Sequence, residues 1–175
     1  MALEVFGVDL LKLIAFILPA YVANSSPVVF GGGTRIDFGK SLSDGKRLFG
    51  DGKTYRGVLA GVVFGTFVGF VIALLDVGGI PLSFRSKMIA AFLLSVGTLV
   101  GDAAGSFLKR RMGISHGSQH EFFDQLLFLG GALLFASFVY LPTIPEIAVL
   151  IVLTYVLHKA ANWLAHKASI KNVPW

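Results

Sequence analysis

The chain has 175 residues, 55% of them apolar and 14% charged, with a mean hydropathy of +0.77. Soluble domains carry about 25% charge, so the composition argues for one membrane-embedded domain covering 1–175. The net charge of +5 does not point to nucleic acid, because the basic residues cluster between apolar runs where anionic lipid or a charged substrate meets them; the lack of cysteine excludes disulfides and thiol chemistry.

Five apolar runs predict an all-α, polytopic integral membrane protein with five transmembrane helices joined by cytoplasmic loops. The first run, 13–30, contains Pro19, Asn24 and Pro27. A cleaved leader is not expected there, because a basic start is missing. The second run, "VLAGVVFGTFVGFVIALL" over 58–75, holds no charge. The third, 88–101, is shorter and runs into Asp102. The fourth covers 125–145, and Pro142 and Pro145 predict a tight turn into the fifth. That last run starts at Ile147 and turns polar after Leu157.

Positive charge orients this topology. Arg35, Lys40, Lys46, Arg47, Lys53, Arg56, Lys109, Arg110, Arg111, Lys159, Lys167 and Lys171 fall on one side, against Lys12, Arg85 and Lys87 on the other. The bias predicts a cell-membrane protein with its N-terminus outside and its C-terminus in the cytoplasm.

Gly57, Gly61, Gly65 and Gly69 form one helical stripe, and Gly97, Gly101 and Gly105 form another. Small residues let helix backbones approach closely in lipid. The two helices that carry the stripes are expected to pack against each other, and a homodimer is the other use the sequence leaves open.

Asp102, Ser106 and Lys109 share one helical face, with Arg110 and Arg111 beside them. A carboxylate at the cytoplasmic edge can ligate a hard divalent cation, and the cations can take phosphate oxygens. An internal Asp102–Lys109 ion pair is the purely structural alternative. Asp124 opens the fourth run at the same level and either adds a second carboxylate to a Mg²⁺ site or serves the helix start. The segment 102–124 is therefore the candidate catalytic segment.

The stretch "GDGKTYRG", 50–57, closes a predicted cytoplasmic substrate loop over 31–57. It is not a Walker A loop, since Arg47 stands where that motif needs its first glycine. Gly50 and Gly52 still free the backbone, Lys53 and Arg56 supply cations, and Thr54 offers a hydroxyl for an anionic substrate. A flexible, positively charged loop is the alternative. His116 and His120 lack the HExxH pattern of a zinc protease. His158, Asn162 and His166 share a face of the last run, where a structural or substrate-contact role is expected. Trp163 and Trp175 suit the membrane interface.

The segments "GDAAGSFLKRRMGI" (101–114), "DQLLF" (124–128) and "IDFGKSLSDGKRLFGDGKTYRG" (36–57) resemble the CDP-archaeol synthase family, related to the membrane CDP-diacylglycerol synthases. The resemblance covers essentially the whole chain. It implies attack of an isoprenoid ether-lipid phosphate, digeranylgeranylglyceryl phosphate, on the α-phosphate of CTP, with loss of pyrophosphate and Mg²⁺ as cofactor. By match to the pattern Asp-x-x-x-Ser-x-x-Lys-Arg, Asp102, Ser106, Lys109 and Arg110 take metal and nucleotide-phosphate roles. Asp124 matches the first aspartate of a closing Asp-x-x-Asp pattern, whose second aspartate is Leu127 here. The wider family's Lys-Asp pair is replaced by Ser115 and His116.

Overall fold

The structure is a computed structural model and describes residues 4–5, 7–114 and 121–167. Two short strands, β1 (Glu4–Val5) and β2 (Val8–Asp9), pair antiparallel ahead of the helices, a feature the apolar pattern does not announce. Asp9 then starts α1 (Leu10–Phe30), its side chain accepting from the Lys12 amide at 3.1 Å. That bond satisfies one of the amides left open by a first helical turn. Thr54 starts α2 (Tyr55–Leu74) and Ser83 starts α3 (Phe84–Arg111) by the same device. The last turn of α3 carries Lys109, Arg110 and Arg111, which complement the negative end of the helix dipole. α4 (Glu121–Ala136) and α5 (Ile144–Lys167) complete an all-α architecture.

The five predicted helices are present in the predicted order, but they are unequal. Among the described residues, α1, α2 and α3 are the helices both long and apolar enough to cross a membrane. The apolar part of α4, Asp124–Ala136, is shorter, against the roughly 20 residues that a bilayer core requires. α5 has the length at 24 residues, but its second half is polar. The turn between them also differs from expectation. Pro142 lies in the connection, whereas Pro145 sits inside the first turn of α5, where its missing N–H costs nothing. α3 runs ten residues past Gly101, so the Asp102–Lys109 face remains helical.

The two stripe-bearing helices, α2 and α3, do pack against each other, but through the α2 stripe alone. The stripe on α2 packs on α1 and α3 together. A methyl group at Gly61 would stand 2.8 Å from the Ala23 carbonyl oxygen, and one at Gly65 2.7 Å from that of Pro19 and 2.3 Å from Ser95 Oγ. The stripe on α3 faces α4. A methyl group at Gly101 would stand 2.2 Å from the Leu127 carbonyl oxygen, and one at Gly131 2.4 Å from that of Gly97. The reason is angular: Ala91, Ser95 and Leu99 occupy the α3 face toward α2, and the glycines lie on another side of the same helix. Leu13 and Ile17 of α1, Leu94 of α3 and Leu150 of α5 are fully buried between the helices.

α5 joins the bundle through side chains spread along its length. Glu146 pairs with Lys12 of α1 at 2.5 Å. The Tyr21 and Thr154 hydroxyls lie 2.8 Å apart, and the His158 ring packs on Phe128.

Candidate functional site

The C-terminal end of α1, the starts of α2 and α4, and the end of α3 come together at one end of the bundle. The loop 31–54 closes that end. Its fold is organised by Asp37, a carboxylate with no exposed side-chain surface. Arg47 donates to both Asp37 oxygens at 2.9 and 3.1 Å, and the amides of Gly39, Phe49 and Gly50 donate to them at 3.0 to 3.3 Å. Burial alone would push this carboxyl up; the guanidinium and the amides outweigh it and hold the group well below the usual carboxylate range. Gly50 adopts φ +117°, a backbone conformation that favours glycine.

The loop is fastened to the end of α3. The Arg111 guanidinium donates to the Lys46 and Arg47 carbonyls at 3.0 and 2.6 Å and pairs with Asp44. In return, Lys46 Nζ donates to the Arg111 carbonyl at 2.8 Å, satisfying an acceptor left open at the helix end. Sequence reasoning treated these cations as a positive loop and missed the clamp. A local signal was available: Asp37 and Asp44 each accept from the amide two residues on, at Gly39 and Lys46, as turn-forming aspartates do.

Two ion pairs cross this end of the bundle. Lys53, the last loop residue before the cap, pairs with Asp102 of α3. Lys109 of α3 pairs with Asp124 of α4 at 2.7 Å. The Asp102–Lys109 pair considered from sequence does not form; each residue takes its partner from another element. Asp124 meets α3 beside Gly105, its Oδ1 3.7 Å from the point a methyl group there would occupy. Both carboxylates therefore flank the same two turns of α3. Ser106 lies one turn from Asp102 on that face, and Arg110 follows Lys109, half-buried.

The remaining loop residues divide by role. Thr54 is buried, and its hydroxyl oxygen accepts from the Gly57 and Gly32 amides at 3.1 and 3.2 Å, which fixes the start of α2. Arg56 is exposed in the first turn of α2, and Gly52 is exposed beside Lys53. His116, His120 and Trp175 lie outside the described residues, as do the side chains of Asn162 and His166. Trp163 carries Lys167 Nζ 4.2 Å above its ring.

A cavity of about 240 Å³ opens between α2 and α3, walled by Pro27, Val58, Val62 and Leu99, with Lys53 and Asp102 at its polar end. An apolar channel ending at an ion pair can take an amphiphile, chains in the cavity and head group at the lysine. Among the described residues, no group of three or more His, Asp or Glu side chains gathers to hold a metal by protein ligands alone. Two carboxylates suit Mg²⁺ when phosphate oxygens and water supply the other ligands.

Residues 6–175 match a family profile described as "CarS-like: CDP-archaeol synthase". The chain is 51% identical to the CDP-archaeol synthase of Pyrococcus abyssi, over 91% of this chain and 95% of that protein. It is 45% identical to that of Methanocaldococcus jannaschii, with 91% and 94% covered. A solved structure described as an intramembrane enzyme for archaeal membrane lipids biosynthesis superposes with a TM-score of 0.77, is 40% identical, and covers 85% of this chain and 91% of its own. With its match nearly end to end, its fold shared and its Asp102–Arg110 and Asp124 motifs at one end of the bundle, the chain belongs to the CDP-archaeol synthase family.

Proposed function

We propose that the CTP-dependent cytidylyl transfer of this family takes place in this chain where Asp102, Lys109 and Asp124 meet the 31–54 loop. The reaction joins CTP to an isoprenoid glycerol ether phosphate, giving CDP-archaeol and pyrophosphate. A phosphate oxygen of the lipid attacks the α-phosphorus of CTP, and the bond to the β-phosphate oxygen breaks. The nucleophile is already an anion, so the protein need not remove a proton from it. Its task is to hold two anions together and offset their repulsion.

Asp102 and Asp124 are the carboxylates that would hold Mg²⁺. That ion supplies polarisation of the α-phosphate and charge stabilisation of the leaving pyrophosphate. Lys109, Arg110 and Ser106 bind triphosphate oxygens. Lys53, with Gly50, Gly52 and Arg56 around it, meets the phosphates at the mouth of the apolar cavity, which takes the lipid chains. Thr54 acts by fixing the turn that aims Lys53. In this reading all five helices cross the membrane, the N-terminus lies outside, and the site faces the cytoplasm where CTP is found. The one-sided distribution of Lys and Arg supports that orientation.

The observation carrying this reading is the pair of carboxylates from two helices at one end of the bundle, each against a lysine, with the Asp102–Lys53 pair closing an apolar cavity. The test incubates the purified chain with α-labelled CTP, Mg²⁺ and the ether-lipid phosphate. Label should enter the lipid with release of pyrophosphate. Asp102→Asn and Asp124→Asn should each lower turnover about 10³-fold, with unchanged melting temperature. Near-normal turnover in either purified variant removes that residue from the site.

A further inference from the structure

Both carboxylates assigned to the metal already carry a cation. Lys53 comes from the loop and Lys109 from α3, so the two ammonium groups reach the site from different elements. Among Asp102, Asp124, Lys53 and Lys109 the charges cancel. A bare divalent cation arriving here meets carboxylates that are already neutralised. A cation carried by a nucleoside triphosphate arrives with net negative charge and brings oxygens for the displaced ammonium groups.

We propose that Lys53 and Lys109 are resident counter-ions that exclude the bare divalent cation and move onto phosphate oxygens when metal and nucleotide arrive together. This rests on the assignment of Asp102 and Asp124 as metal carboxylates. The exchange conserves charge: each aspartate trades an ammonium group for the metal, and each ammonium group trades a carboxylate for a phosphate. The geometry allows it. The Asp102 and Asp124 side chains are 30% and 38% exposed, so an incoming ligand can reach them. A lysine stem can swing its ammonium group several bonds away without backbone movement, which a bidentate arginine pair would resist. The Arg47–Asp37 pair shows the contrast within one loop: its carboxylate is sealed and held by five donated hydrogen bonds.

The consequence is ordered loading, in which the metal enters as its nucleotide complex. The probe is Mn²⁺, with free ion measured by electron paramagnetic resonance on the full chain in detergent, with and without a non-hydrolysable CTP analogue. Wild-type protein should bind Mn²⁺ at least about tenfold more weakly without the analogue. Equal binding in its presence and absence overturns the exchange, and that measurement needs no variant. Lys53→Met and Lys109→Met should each tighten binding of Mn²⁺ alone by roughly tenfold, whereas Lys53→Arg and Lys109→Arg should keep it weak. Folded Met variants with unaltered Mn²⁺ affinity also overturn it. Asp102→Asn and Asp124→Asn separate the two readings. If they leave Mn²⁺ binding with the analogue intact, the metal assignment itself fails; if they abolish it while the Met variants bind Mn²⁺ no more tightly, the exchange alone fails.

Discussion

The Lys12–Glu146 pair and the two lysine–aspartate pairs of the site are built differently, while the Lys87–Asp76 pair joins the other ends of α2 and α3. Away from the site, Lys12 of α1 meets Glu146 of α5, whose side chain is only 7% exposed. The second oxygen of Glu146 also accepts from the Thr143 amide and hydroxyl at 2.7 and 3.0 Å, so this carboxylate caps a helix while it joins two helices. At the site end, Asp102 and Asp124 are several times more exposed, and each leans on one lysine. A carboxylate with several fixed donors has nothing to gain from a new ligand. One held by a single mobile ammonium group can exchange it. The same pairing of residue types thus fastens α1 to α5 where it is sealed and leaves Asp102 and Asp124 open to exchange where it is exposed.

The largest expected effect comes from breaking the packing that both kinds of pair share. Gly131→Ala places a methyl group against the Gly97 carbonyl and the Gly101 backbone, and should cost about 3 kcal/mol or more. Loss of monodisperse protein in size-exclusion chromatography is the readout. Gly130→Ala, which meets nothing within 4 Å, should change stability by less than about 0.5 kcal/mol. Second comes the sealed pair. Glu146→Gln removes the charge opposite Lys12 and should lower stability by about 2 kcal/mol, visible in the melting curve, while turnover per folded molecule stays near wild type. A turnover loss as deep as that of Asp124→Asn would erase the contrast between the two kinds of pair. The smallest effect is Thr54→Val. Losing the cap on α2 should cost about 1 kcal/mol and loosen the turn that aims Lys53, read as a raised KM with a smaller change in kcat.

How much of this was legible follows from how far apart the contributing residues lie. Helix α2 and the Asp102–Ser106–Lys109 face could be read because helical spacing is local. Their partners could not. Lys53 lies 49 residues from Asp102, and Arg111 lies 67 residues from Asp44, so neither pairing leaves a periodic trace. The glycine stripes were legible as close-packing surfaces. The packing of α2 on α3 was legible with them; that the α3 stripe turns to α4 was not, because spacing along one helix does not give the rotation of the next. Asp37 was overlooked because nothing in the sequence sets it apart from Asp44 and Asp51 of the same loop until the fold buries it. The unequal helices have a physical cause too: α4 and α5 are bounded by a proline-containing connection and a polar tail, and hydropathy alone blurs both edges.

One feature of α2 reaches beyond the site. Its inward face is glycine at 57, 61, 65 and 69, while Leu59, Val63, Phe67 and Leu74 project outward. Size is sorted in reverse of a water-soluble protein, with the bulky residues on the rim. The surrounding alkyl chains therefore act as the outermost shell of this protein's interior. Amphiphiles of different tail length should shift its melting point even where no residue has been altered, and the choice of solubilising agent becomes a variable as consequential as a substitution.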